Sequence, residues 1–305
     1  KGGNAADAAV ATMLALGVVS PASSGLGGGG FALYYRKSDR SLTFLDFRET
    51  APRAATRDMY LDATGKVVPD SSLVGHRAAG VPGTVAGLWE LHRQHGSKPW
   101  RELLQPAIRL AREGFVPPPQ LIARTTEKAR GVKDRTNFAA HFGALAADKP
   151  FVQADLARTL ERIATRGPNG FYRGETAKLV AAEMRRGGGL ITESDLRDYK
   201  PVWRTPLRTT WRKYELVTAP PPSSGGIALV QLLRMKDALA TINGNKARQV
   251  SKKRITEEQK AAALKLISTV ETYDGLNDCD LVIEAATEKE EVKRKIFNEL
   301  CPALR

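Results

Sequence analysis

Cysteine is scarce in this chain, with two in 305 residues, Cys279 and Cys301. That number and spacing exclude a disulfide framework and a zinc-ligand pattern. Cys279 precedes an apolar run and reads as a buried thiol. Histidine is equally sparse: there are four, and none lies beyond His141. No run of about 18 consecutive apolar residues is present, so no transmembrane helix is expected. The opening Lys1-Gly-Gly-Asn-Ala-Ala-Asp-Ala-Ala-Val10 has no initiator Met, no basic leader region and no compact apolar core, so it does not read as a signal peptide. Basic residues outnumber acidic ones 47 to 33, for a net charge of +14. They are scattered, without an aromatic-interleaved basic strand or a recognition helix. A solvated basic surface is therefore expected, with neither nucleic acid nor membrane as a partner.

What is present divides near Met235. Sixteen of 17 Pro, 25 of 27 Gly, all four His and all four Trp lie at or before it, while both Cys follow it. Residues 236–305 hold 13 Lys and Arg against 12 Asp and Glu, whereas residues 1–235 hold 34 against 21. Such a shift predicts two regions, 1–235 and 236–305, whose functions must be read separately.

The first region alternates helix and strand. An Ala-rich helix is predicted from Asn4 to Val18, with Asp7 in its first turn. Phe31–Tyr35 and Leu42–Phe47 read as strands joined by the polar Lys37–Ser41. Thr84–His95 sets Val85, Leu88 and His92 on one helical face, and Leu104, Ala107, Ile108 and Ala111 repeat the pattern up to Gly114. Pro106 fits a first turn or a kink. Leu156, Leu160 and Ile163 form another stripe, Thr192 and Asp195 make a capping signal, Tyr214–Thr218 reads as a strand, and Ile227–Leu233 as an apolar helix. In the second region a basic helix is predicted over Lys236–Arg254 with Leu239, Ile242 and Val250 inward. A capped helix from Thr256 carries Ala263, Leu266 and Ile267, and Leu281–Ile283 reads as a buried strand before a helix capped at Thr287.

Gly25-Leu-Gly-Gly-Gly-Gly30 satisfies G-x-G-x-x-G. A dinucleotide fingerprint needs a strand before it and a helix after it, so that the helix N-terminus meets the pyrophosphate. Here the helix precedes and the strand follows. The expectation is structural: glycines adopting positive φ and permitting close backbone approach to another segment or a ligand.

Taken with Gly2–Ala11, Ser23–Phe31, Asp46-Phe-Arg-Glu-Thr-Ala-Pro52, Val81-Pro-Gly-Thr-Val-Ala-Gly87, Gln105–Phe115, Gly188–Thr192 and Pro220-Pro-Pro-Ser-Ser-Gly-Gly226, the run resembles the large subunit of the γ-glutamyltranspeptidase (glutathione hydrolase) family. The resemblance extends to about Leu233. It implies a partial N-terminal-nucleophile hydrolase α-β-β-α sandwich, no cofactor, and transfer or hydrolysis of γ-glutamyl groups from donors such as glutathione. The family's nucleophile is a Thr exposed by self-cleavage, its free amine serving as base. It lies beyond the Pro220–Gly226 motif, at the start of a small subunit, and no residue here matches it. Thr209-Thr210 sits in the wrong context. The stretch Phe142–Pro150 is also shorter than the family pattern. These 305 residues are accordingly expected to be inactive alone, with the small subunit as the missing partner. Arg48 matches the arginine that grips the α-carboxylate of the γ-glutamyl group, a role suited to a bidentate guanidinium. The alternative is local pairing of Arg48 with an acid such as Glu49.

The second region resembles a different family. Asp237–Gly244, Val250–Arg254, Asp278–Glu288 and Lys293–Phe297 look like 3-hydroxyacyl-CoA dehydrogenase, in its 3-hydroxybutyryl-CoA form. This implies a mostly helical slice of a Rossmann-type NAD-binding domain. Glu288 and Lys293 would lie at the nicotinamide cofactor and Lys253 near the CoA phosphates, with helix-surface charge as the plain alternative. The family's glycine fingerprint and its catalytic His–Glu pair are both absent. The resemblances imply different locations for the two parents, periplasmic or secreted for the first and cytoplasmic for the second. The chain thus reads as a chimera of two enzyme fragments.

Overall fold

The computed structural model describes residues 2–132, 135–143, 145–266, 294, 296, 298, 299 and 301–303. The chain divides into two compact units, Lys1–Ala228 and Leu229–Arg305.

The first unit opens with α1 (Ala5–Val19), followed by the strands β1 (Phe31–Arg36) and β2 (Ser41–Asp46). Then come α2 (Thr84–His95), α3 (Trp100–Glu113), α4 (Pro119–Gly131), α5 (Phe138–Phe142), α6 (Ala154–Arg166), α7 (Asn169–Tyr172), α8 (Gly174–Arg186) and α9 (Glu193–Asp198). Three strands follow, β3 (Val202–Arg204), β4 (Leu207–Trp211) and β5 (Tyr214–Thr218), and then α10 (Ser224–Ser251) begins.

The helices are where the apolar spacing puts them. Val10, Leu14 and Val18 recur every fourth residue on α1 and are buried. Leu104, Ala107, Ile108 and Ala111 do the same on α3, and Ala157, Leu160, Ile163 and Ala164 on α6. These three stripes share one core, with α3 packed against both α1 and α6. Each fully buried Leu or Ile contributes roughly 1.5–3 kcal/mol relative to exposure. Pro106 lies inside α3, not in its first turn. Asp7 closes a capping box with Asn4 and is 2% exposed. Burial pushes its carboxyl up, but the Ser97 hydroxyl and the N–H groups of Asn4, Ser97 and Lys98 outweigh it and hold the pKa at about 2. One carboxylate thus ties the start of α1 to the turn after α2.

β1, β2 and β3 form an antiparallel sheet in that order, with Phe31 opposite Asp46 and Leu45 opposite Trp203. On one face Tyr34 stacks on the His95 ring at 4.2 Å and Trp203 meets it edge-on. That burial lowers the His95 pKa. On the other face Leu33 and Tyr35 are 44% and 54% exposed. β4 and β5 form a separate two-stranded sheet that places Thr209 and Thr210 in mid-strand, opposite Leu216 and Glu215.

Beyond Met235 the expectations need correction. The two helices predicted over Ile227–Leu233 and Lys236–Arg254 are one helix, α10. No Pro or Gly interrupts Arg234–Ala240, and strong helix formers carry the backbone through the compositional break. Ile242, expected inward, is 37% exposed. α11 (Glu257–Lys265) starts at the expected Thr256–Gln259 capping box. Leu266 beyond it is 85% exposed, not packed. Cys279, Ile267, the Leu281–Ile283 strand and the Thr287 cap lie outside the described residues, while residues 294, 296, 298 and 299 of the helix expected to follow are helical. No described helix is long and apolar enough to cross a membrane.

Candidate functional site

The glycine run acts on the segment that follows β2. The Gly30 N–H donates to the Phe47 carbonyl at 3.3 Å and the Phe47 N–H to the Gly30 carbonyl at 3.0 Å, extending the β1–β2 pairing by one step. At Gly29 a methyl would lie 2.5 Å from the Phe47 carbonyl oxygen and 2.9 Å from Arg48 Cα. At Gly83 it would overlap the Phe47 carbonyl and the Tyr199 hydroxyl, and at Gly87 the Phe47 ring. Close approach, the expectation for this run, therefore holds. Positive φ does not: it occurs at glycines such as Gly65 and Gly114 but at none of Gly25–Gly30. The Gly28 carbonyl accepts from the N–H groups of Gly83 and Thr84 at 2.8 and 3.0 Å. The run thus offers the start of α2 an acceptor and occupies donors that a phosphate would need, with α1 before it and β1 after it, the reverse of a dinucleotide turn.

Arg48 stands directly on this clamped segment. Its N–H donates to Asp46 Oδ1 at 3.0 Å, while Asp46 Oδ2 accepts from Arg204 Nε at 2.7 Å. Its carbonyl accepts from the Tyr199 hydroxyl at 2.8 Å. Burial raises the Tyr199 pKa, and the negative charges of Asp46 and Glu49 raise it further, so this donor keeps its proton. The Arg48 side chain is exposed. Among the described residues no carboxylate lies within ion-pair distance of it, Glu49 included. A fixed backbone thus presents a guanidinium with its donors open.

Arg48 lines a cavity of about 500 Å³, together with Gly27, Glu49, Thr50, Tyr60 and Arg77. A backbone bridge, Thr50 to Val81, holds one wall. Arg77 holds another, donating through Nη1 to the Met59 carbonyl at 3.1 Å. Behind it His76 Nε2 meets Glu183 Oε1 at 2.8 Å, and Gly187 packs on the imidazole. The Arg186 guanidinium, then His76, hold the Glu183 carboxyl at about 2. The cavity lining contains no Cys or His. Its two arginines suit it to anion binding. Among the described residues no cluster of three or more His, Cys, Asp or Glu could hold a metal.

Thr209 and Thr210 are not among the residues lining this cavity. Both are committed to the β4–β5 ladder. Lys253 is exposed in the turn after α10, at φ 53°, its N–H donating to the Val250 carbonyl. Glu288 and Lys293 lie outside the described residues. Sequence reasoning missed Tyr199 and Arg77. Tyr199 is 151 residues from Arg48 and carries no local signal. Arg77 sits in a single 3-10 turn, His76–Ala78, too short to show periodicity.

Known proteins of similar sequence and structure place the chain in a family. The model of the family described as Gamma-glutamyltranspeptidase matches residues 1–286, a span that runs past Met235. A glutathione hydrolase proenzyme from Pseudomonas aeruginosa is 51% identical over 236 residues, covering 77% of this chain and 42% of that protein. Glutathione hydrolase 3 of Arabidopsis thaliana is 35% identical over 97% of this chain and 47% of its own length. The chain therefore spans less than half of these curated relatives. The solved structure of the γ-glutamyltranspeptidase from Pseudomonas nitroreducens complexed with L-DON superposes with a TM-score of 0.74 at 46% identity, covering 86% of this chain and 76% of that one. With a family match over residues 1–286 and a solved member of the family superposing over 86% of the chain, the chain belongs to the γ-glutamyltranspeptidase family.

Proposed function

We propose that the protein transfers or hydrolyses γ-glutamyl groups, with glutathione and related γ-glutamyl compounds as donors, and that this chain supplies the donor-binding side. The observation that carries the reading is Arg48: its backbone is held at both the N–H and the carbonyl while its guanidinium stands unpaired in an open cavity. A guanidinium fork recognises a carboxylate bidentately, which orients the γ-carbonyl for attack by a group outside the cavity lining. That group is the Thr of the small subunit, which would also cover the sheet face carrying Leu33 and Tyr35 to complete the sandwich.

The dehydrogenase resemblance of residues 236–305 is kept as a second proposal. In its support, the Pseudomonas aeruginosa relative covers 77% of this chain, the share that residues 1–235 make of 305. The described residues after Met235 are helical and turn, without a strand-to-helix turn of the kind that holds a pyrophosphate, so they do not fit NAD and no step is derived through it.

Two assays on the purified 305-residue chain test both proposals. Release of p-nitroaniline from γ-glutamyl-p-nitroanilide is expected to stay at the uncatalysed rate and to appear when the small subunit is co-expressed. Robust turnover by the chain alone contradicts the division of labour, and no turnover from the pair contradicts the activity. NADH fluorescence is expected to stay unchanged on adding the chain, and a change would contradict the reading that its described residues do not fit NAD.

A further inference from the structure

We propose that Arg77 forms a second carboxylate subsite in the Arg48 cavity, making the site selective for γ-glutamyl peptides with a free distal carboxylate over γ-glutamyl amides. The inference rests on the donor-site reading of Arg48.

Two observations carry it. First, the cationic partners elsewhere around this segment are satisfied: Arg53 by Asp198, Arg204 by Asp46 and Arg186 by Glu183. Arg48 and Arg77 are exceptions that line one cavity, and among the described residues neither has a carboxylate within ion-pair distance. Second, Arg77 is held in place without being neutralised. It follows His76 in the turn His76–Ala78, and His76 is pinned to Glu183 at 2.8 Å. One guanidinium donor goes to the Met59 carbonyl, and the Arg77 carbonyl accepts from the Tyr60 hydroxyl at 3.5 Å. The remaining donors have no partner among the described residues. A guanidinium carries five N–H donors and no acceptor, so the open ones call for an anion.

Charge complementarity selects the ligand class. Two cations and one anion, Glu49, line the cavity. A γ-glutamyl peptide has two carboxylates and one ammonium at neutral pH and matches this set in sign and number. A γ-glutamyl amide has lost one carboxylate and leaves Arg77 unmatched. A volume of about 500 Å³ suits a ligand of this size.

The test is calorimetric titration of the full chain with γ-glutamylglycine and with γ-glutamylmethylamide. The unmodified chain is expected to prefer the carboxylate ligand by about tenfold, the scale of one charge-assisted contact at a partly open site. In Arg77→Gln the ratio falls to about one through loss of affinity for γ-glutamylglycine, and Arg77→Lys restores part of it. A thermal midpoint matching the unmodified chain certifies the Arg77→Gln fold; if that variant unfolds, Arg77→Lys against the unmodified chain supplies the comparison. In Arg48→Gln both ligands weaken and the ratio survives. An unchanged ratio in folded Arg77→Gln overturns the subsite alone. Unchanged affinities in Arg48→Gln, or no binding of either ligand by the unmodified chain, overturn the donor-site reading and the subsite with it.

Discussion

Arg48→Gln is expected to weaken binding of γ-glutamylglycine by about a hundredfold, the scale of losing two charge-assisted hydrogen bonds of about 1.5 kcal/mol each. The geometry explains why the effect is large. The Arg48 backbone is held by Asp46 on one side and Tyr199 on the other, so little ordering of the main chain remains to be done when the ligand arrives. The guanidinium has no ion pair to break first among the described residues. Glutamine keeps the length and polarity but removes the charge and the parallel N–H fork. Arg48→Lys keeps the charge and loses the fork, so it should fall between the two, about tenfold weaker than the unmodified chain. Titration calorimetry reads all three. Equal affinities for the arginine and glutamine forms would place the donor carboxylate elsewhere.

The second large effect is on folding. Gly83→Ala is expected to destabilise the chain by about 3 kcal/mol, since the new methyl would overlap the Phe47 carbonyl and the Tyr199 hydroxyl. Neither neighbour can give way freely. The Phe47 carbonyl is backbone bonded to Gly30, and the Tyr199 hydroxyl holds the Arg48 carbonyl. The substitution should therefore loosen Arg48 as well as the core. Gly27→Ala is the matched control: a methyl there meets nothing within 4 Å, and its midpoint in urea should shift little. Similar midpoints for the two variants would mean that the clamp on Phe47 is slack.

These expectations also mark where sequence reading reached and where it stopped. The helices α1, α2, α3 and α6, the β1–β2 hairpin and the caps at Thr192 and Thr256 were legible because each depends on residues three or four apart or on a short turn. Arg48 was legible only through its motif; nothing in its immediate neighbours distinguishes it from a surface cation. Long-range pairings were not legible. β3 joins β2 through Trp203 opposite Leu45, and Tyr199 reaches Arg48 across 151 residues. Residues that meet only through tertiary packing leave no periodic trace. The glycine run was half legible: close approach was read correctly, while the expected positive φ lies at other glycines. The break at Met235 is real in composition but does not interrupt the backbone, because helix formation follows local propensity and α10 meets no breaker there.

The most direct test of the Arg48 cavity as the γ-glutamyl site is a crystal of this chain soaked with γ-glutamylglycine. The expected density lies in the cavity between Gly27 and Gly80, with the α-carboxylate about 3 Å from the Arg48 guanidinium nitrogens. Density bound at another surface while this cavity stays bare, or Arg48 folded back onto Glu49, would contradict it.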